Sequence, residues 1–356
     1  MRDVLNFYKD KRIFITGHTG FKGSWLCEIL LTIGVPGENI TGYSLEPNTN
    51  PNLFDICNLN QRINSIIGDI RDLDKLCDVM NKVKPDVVFH LAAQPLVRDS
   101  YKNPRYTYET NVMGTVNILE AVRNTPSVKS FLNVTTDKVY RNNEWCWGYR
   151  ENEYLDGYDP YSNSKSCSEL VTATYKRSFF NDSSVAISTA RAGNVIGGGD
   201  FAIDRIIPDC ARAAAENKDI IIRNPNSIRP YQHVLEPLFA YLLIAKKQYE
   251  DISFAGNYNI GPNESDCITT SKLASLFCDC WGENLSWGNK SDGGPHEANF
   301  LKLDCAKIKN KLGWAPKLNA KQAVTKTALW YKAYFKNEDV VKLMDRQIEK
   351  YIDEVD

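Results

Sequence analysis

Arg12-Ile13-Phe14-Ile15-Thr16-Gly17-His18-Thr19-Gly20-Phe21-Lys22-Gly23 is the stretch from which the fold is read. Arg12 to Thr16 is a short apolar strand, and the glycines at 17, 20 and 23 lie where it turns into a helix spanning Lys22 to Gly34. Bare backbone at such a turn lets a pyrophosphate approach the helix N-terminus, where free N–H groups and the helix dipole favour negative charge. A tight turn without a ligand is the plain alternative, but the position directly after a first strand favours a dinucleotide site. The spacing is G-x-x-G-x-x-G rather than G-x-G-x-x-G.

Outward from this turn, strand and helix signals alternate. A strand over Ile40 to Leu45 is followed by a helix near Leu73 to Val83, a strand at Asp86 to Leu91 and a long helix from about Pro104 to Arg123. Further apolar runs, from Phe131 to Val134, Ser183 to Ala190 and Phe254 to Ile260, supply later strands. Such alternation predicts an α/β protein with a doubly wound parallel (Rossmann) sheet. Residues 1–190, completed by about 234–261, form the expected dinucleotide-binding domain. Residues 191–233 and 262–356 form a smaller α/β substrate lobe, built on Gly197-Gly198-Gly199, the polar loop Asn224 to Gln232 and Gly293-Gly294-Pro295. Helices over Cys305 to Leu312, Ala320 to Phe335 and Asp339 to Ile352 close the chain.

The second strand ends in Tyr43-Ser44-Leu45, where an acidic residue usually holds the adenine ribose; the nearest acid is Glu46. No Lys or Arg occurs from Thr41 through Gln61 to meet a 2′-phosphate, so NAD is expected over NADP. Gly68-Asp69-Ile70 follows a third apolar run, where Asp69 reaches the adenine amine or caps the next helix.

Bulk properties exclude several classes. The 356 residues, 43% of them hydrophobic, carry a formal net charge of -1, and no Lys/Arg block offers a field for nucleic acid. The N-terminus mixes charged and apolar residues, unlike a signal peptide, and no apolar run approaches the roughly 18 residues of a membrane helix. Ten scattered cysteines without a C-x-x-C, and only four histidines, point to reduced thiols and no metal site, with the cytoplasm as the expected compartment.

The candidate chemistry lies between Asn133 and Lys165. Thr136, Asp137 and Lys138 emerge where the strand from Phe131 ends, and open α/β sheets bind ligands at that edge. Tyr161 and Lys165, in Tyr161-Ser162-Asn163-Ser164-Lys165, are four apart on a helix, so they share a face and an ammonium can hold a phenol's pKa down.

Taken in order, G-x-x-G-x-x-G, His90-Leu91-Ala92-Ala93, Thr135-Thr136 and Tyr161-x-x-x-Lys165 resemble the extended short-chain dehydrogenase/reductases that modify nucleotide sugars. The strings GHTGFKGSWL, HLAAQPLVR, NVMGT, TTDKVY, WGYRENE, YDPYSNSK, RAGNVIGGGD and RPYQHVLEP are similar to the 4,6-dehydratases of that family that act on CDP-glucose. The resemblance implies a redox-neutral dehydration to a 4-keto-6-deoxy sugar with NAD recycled each turnover, in deoxysugar and cell-surface polysaccharide synthesis. It assigns Tyr161 as the base at the sugar 4-hydroxyl, Lys165 to the phenol and the nicotinamide ribose, and Thr136 as a hydrogen-bond donor to the 4-oxygen. Asp137 is then the acid that protonates the departing C6 hydroxyl and Lys138 the base at C5, where dehydratases acting on dTDP-glucose or GDP-mannose carry Glu. Cofactor contacts are expected from Gly17, Thr19, Gly20, Phe21, Lys22, Gly23, Ser44, Asp69, Ile70, Leu91, Ala92, Ala93, Tyr161 and Lys165. Extended members pair through two long helices, so a homodimer or homotetramer is expected, through Pro104 to Arg123 and Tyr161 to Phe180.

For the substrate, Asn194 falls where the family binds sugar or phosphate, and Arg229 suits the pyrophosphate because a guanidinium engages phosphate oxygens in pairs. Arg205, Arg223, His233 and His296 are further substrate candidates, each equally readable as an ordinary surface cation. Asn111 reads as a packing residue. Trp145, Trp147 and Tyr149 either close over the sugar or pack the lobe interface. Other enzyme readings are a dehydratase for a different nucleotide and a 4-epimerase, which has no use for Asp137 and Lys138. A different class, an inert dinucleotide-sensing protein, has no reason to keep Tyr161, Lys165 and Asp137 together.

Overall fold

The computed structural model describes residues 2–181, 183–282, 285–290 and 299–354. Seven parallel strands, β1 (Ile13–Thr16), β2 (Ile40–Ser44), β3 (Asn64–Ile67), β4 (Val87–His90), β5 (Ser130–Thr136), β6 (Ala186–Ala192) and β7 (Asn257–Ile260), form one sheet in the order β3-β2-β1-β4-β5-β6-β7. The order reverses between β1 and β4, the crevice at which doubly wound sheets bind dinucleotides.

Five strands, β1, β2, β4, β5 and β6, are buried on both faces with little exception, which is why they read as apolar runs. Alternate side chains feed two layers. Ile13, Ile15, Val87, Phe89 and Leu132 face one core and Phe14, Val88, Phe131 and Ile187 the other. Each fully buried side chain of this kind contributes about 1.5–3 kcal/mol.

Five helices position the site: α1 (Phe21–Thr32), α2 (Leu73–Val83), α3 (Gly114–Arg123), α4 (Pro160–Phe179) and α5 (Leu235–Glu250). The long helix expected over Pro104 to Arg123 is one path in three parts: an α segment Pro104–Tyr108, a π segment Glu109–Met113, then α3. Pro160 occupies the first turn of α4, where its missing N–H costs nothing, and Asp159 accepts from Ser162 N at 3.0 Å to cap it.

Among the helices of eight residues or more, Ile206–Ala215, α5 and Thr270–Trp281 escaped the sequence reading. Helix α5 is buried on nearly every side as it passes under β5 and β6 before β7. The last helix, Val340–Asp353, returns to pack on α1. Gly293-Gly294-Pro295 and His296 lie outside the described residues.

Candidate active site

The N-terminus of α1 and the carboxyl end of β5 line a cleft of about 1340 Å³, and β1 and β4 pair beside β5. Gly17 turns the chain at φ +77°, and a Cβ there would stand 2.7 Å from Ala92 N. By contrast, a Cβ on Gly20 meets only Gly17 O, at 3.5 Å. The turn is therefore closed on the protein side and open above the helix N-terminus, a cradle that fits a pyrophosphate. Thr19 Oγ1 lies 2.9 Å from Ser44 Oγ and donates to Leu45 O, so these hydroxyls rim the end of β2.

Thr16 ties the strand ends together. Its hydroxyl oxygen accepts from Leu91 N at 3.2 Å and Ala92 N at 3.1 Å, so its proton goes to His90 Nδ1 at 2.7 Å. Burial, then the nearby Lys165 charge, pushes His90 down to about 3, and it stays neutral. Leu91, Ala92 and Ala93 follow as the loop beside the glycine turn. Ile70 instead buries its side chain against Gly114. Asp69 makes a fork with Arg71, at 2.6 Å in its closer contact, while the helix cap considered for Asp69 is made by Asp72, which accepts from Lys75 N.

Thr136, Asp137, Lys138 and Tyr161 line the cleft together. Thr136 Oγ1 donates to Asp137 Oδ1 at 2.9 Å, and Thr136 also draws down the pKa of the Tyr161 phenol. Asp137 is 1% exposed, and burial raises its pKa against the pull of Lys138, Thr136 and Arg229. Its Oδ2 has no partner. A buried carboxyl that favours its proton and keeps one oxygen uncommitted is suited to donate that proton.

Tyr161 is pushed up to about 12 by burial, opposed by Thr136 and the Arg205 charge. Lys165, expected to hold the phenol down, shares its helix face with Tyr161 and donates from Nζ to Val134 O at 3.1 Å, while the Arg205 charge opposes the rise. Burial lowers Lys165 to about 8, with Glu169 opposing. Lys22, expected only at the pyrophosphate turn, also lines the cleft and is lowered to about 7 by burial and by the Lys165 and Arg205 charges.

Asn194, Arg205 and Arg229 line the same cleft further from the glycine turn, with Arg205 paired to Asp200 at 2.8 Å and Arg223 to Asp204 at 2.7 Å. His233 does not join them. It sits on the strand Gln232–His233, fully buried edge-on to Trp25 of α1, and burial drives it down to about 3. Neither a substrate contact nor a surface cation results, because its segment is pulled inside by pairing with Val195–Ile196. His296 lies outside the described residues.

Asn111 clamps the Gln94 backbone at both ends, at 2.8 and 3.1 Å, and donates to Ser164 Oγ beside Lys165. Tyr149 stacks on Tyr140 and Trp145 on Tyr149, so both pack a small core with Leu301, whereas Trp147 is 68% exposed. Two buried residues of the site were missed, Glu169 and Arg191, paired at 2.8 Å. The signal for Glu169 was its place one turn beyond Lys165 on the same face.

Residues 14–327 match the model of the GDP-mannose 4,6 dehydratase family. The CDP-glucose 4,6-dehydratase of Salmonella typhimurium is 48% identical over 98% of this chain and 98% of its own. The CDP-paratose 2-epimerase of Salmonella typhi is 29% identical over 90% and 98%. The dTDP-glucose 4,6-dehydratase of Bacillus anthracis, solved with NAD, superposes with a TM-score of 0.76 at 23% identity, over 92% of this chain and 99% of that one.

Proposed function

We propose that this chain, which belongs to the GDP-mannose 4,6 dehydratase family, is a CDP-glucose 4,6-dehydratase. It converts CDP-D-glucose to CDP-4-keto-6-deoxy-D-glucose with loss of water. NAD, when bound, supplies a hydride carrier that takes hydrogen from C4 and returns it to C6. Gly17, Gly20 and Gly23 with the α1 N-terminus would hold its pyrophosphate, Thr19 and Ser44 its adenosine end, and Lys165 its nicotinamide ribose.

The chain's own residues move the protons. Tyr161, whose phenol Thr136 and Arg205 draw down against the effect of burial, takes the proton of the 4-hydroxyl. A C4 ketone acidifies the C5 hydrogen, which Lys138 removes. Asp137 gives its proton to the C6 hydroxyl, which departs as water. Arg229 and Asn194 hold the pyrophosphate and sugar, and Arg205 lines the same cleft. The observation that carries this reading is buried Asp137, held by Thr136 with one oxygen free: C4 epimerisation uses Thr136, Tyr161 and Lys165 and has no use for it, whereas dehydration needs a protonated acid.

The apolar side chains Tyr101, Tyr108, Met113, Leu170 and Phe179 are exposed along the Val97–Arg123 path and α4, which supports pairing of two chains through these helices. The ten cysteines are free thiols, in keeping with a cytoplasmic enzyme. No helix among the described residues is long and apolar enough to cross a membrane.

Incubation with CDP-, UDP-, dTDP- and GDP-glucose tests the assignment. Only the CDP-sugar should give a 4-keto-6-deoxy product efficiently. A C4 epimer, or equal turnover of another nucleotide, overturns it.

A further inference from the structure

We propose that Glu169 is a positioning residue of this reaction, fixing the end of β5 against the helix that carries Tyr161 and Lys165; the proposal rests on the roles given to those two residues above. Glu169 stands on α4 one turn beyond Lys165 and two beyond Tyr161, and is 2% exposed. Sheet register sets Thr135 opposite Arg191, with Thr189 two residues earlier on the same strand and face. All three donate to the one carboxylate: Thr135 Oγ1 to Oε1 at 2.5 Å, Thr189 Oγ1 and Arg191 Nη2 to Oε2 at 2.8 Å each.

The network continues toward the reacting groups. Arg191 Nη1 donates to Tyr140 OH at 2.8 Å and Glu151 O at 3.0 Å, and Tyr140 in turn donates to Asn259 Oδ1 on β7. Tyr140 lies two residues after Lys138, and Thr135 immediately precedes Thr136, whose hydroxyl donates to Asp137. One carboxylate therefore couples α4 to both sides of the Thr136-Asp137-Lys138 segment.

A buried ion pair by itself marks only a specified core. What separates this one is that its donor Thr135 directly precedes the acid–base segment, that its donor Arg191 holds Tyr140 just beyond it, and that its negative charge favours the Lys165 ammonium. The charged or titratable groups coupled to Lys165 are Lys22 from α1 and His90 from β4, both losing proton affinity to it, and Glu169 from its own helix. Of these, Glu169 alone favours the ammonium.

The test measures kcat and KM for CDP-glucose across pH in the holoenzyme and in Glu169→Gln. Loss of positioning predicts a kcat about 10- to 100-fold lower with KM little changed, since a displacement near 1 Å costs up to about 10². Loss of the charge predicts that the alkaline limb of kcat moves to lower pH, which a merely structural defect does not do. A limb left in place, or a change confined to KM, overturns the proposal. If Glu169→Gln does not fold, Glu169→Gln/Arg191→Met removes both buried charges together, and the same displaced limb is required. If that also fails, Thr135→Val decides: about tenfold lower kcat at unchanged KM upholds the coupling, and the parent's kcat overturns it. A parent that gives no 4-keto product from CDP-glucose overturns the underlying reading and the role of Glu169 with it, whereas a parent that turns over normally isolates Glu169.

Discussion

Replacing Asp137 by Asn removes the proton on which elimination depends and almost nothing else. The amide oxygen takes over Oδ1 and keeps the 2.9 Å bond from Thr136. The amide nitrogen takes the place of Oδ2, which has no partner to lose. Because burial already favours the neutral carboxyl, the change exposes no new buried charge, and stability should shift by less than about 1 kcal/mol. Elimination loses a positioned acid, a slowing of about 10² to 10⁴, or about 2.7 to 5.4 kcal/mol at about 1.36 kcal/mol per decade. Oxidation at C4 uses Tyr161, so rapid mixing should show nicotinamide reduction at the parent rate, followed by accumulation of the reduced cofactor while product formation lags. In deuterated water the C5 hydrogen should still exchange in Asp137→Asn, whereas Lys138→Ala should block that exchange as well as elimination. Product formed at the parent rate by both variants would refute the acid–base pairing and make 4-epimerisation the reading to pursue.

Tyr161→Phe should bind the nucleotide sugar nearly as the parent does, by calorimetric titration, yet show no nicotinamide reduction on mixing; reduction would refute its role. Arg205→Met removes the cation facing the phenol, so the rising limb of C4 oxidation should move to higher pH, and a pH profile identical to the parent's would contradict that electrostatic role. Glu236 is buried at the start of α5, accepting from Leu318 N, Lys317 N and Tyr351 OH, and burial raises it to about 7. A carboxyl raised in the folded state stabilises fully below the unfolded value of 4.5 and loses that contribution as pH rises toward about 7. This is worth about 3 kcal/mol, so Glu236→Gln should flatten denaturant-measured stability between those limits relative to the parent. Light scattering should give a particle of at least twice the 40.4 kDa chain, and a monomer at micromolar concentration would refute pairing through α4.

Much of this was legible in the chain because two of its signals are local. Strands buried on both faces leave apolar runs, and a glycine turn after the first of them has one common use. The cluster at Thr136 to Lys138 and the Tyr161/Lys165 spacing were likewise contiguous. What escaped depends on contacts made across the fold. Helix α5 is buried almost all round, so it carries no amphipathic stripe to reveal it. Glu169 and Arg191 lie 22 residues apart and meet only because α4 packs against β5 and β6. His233 was misplaced because its burial comes from pairing with Val195–Ile196 and from Trp25, neither near it in sequence. Lys165 was expected to act on its helical neighbour, yet its ammonium satisfies the Val134 carbonyl, a partner that helix spacing does not specify.

The central claim is that one hydrogen leaves C4 and returns to C6 of the same sugar, with water lost between. CDP-glucose carrying deuterium at C4 tests it directly, with the product's label located by NMR. The account predicts deuterium at C6 of a 4-keto-6-deoxy sugar and a solvent-derived hydrogen at C5. Deuterium retained at C4 of an epimerised sugar, or an unchanged substrate under conditions that reduce the bound cofactor, would contradict it.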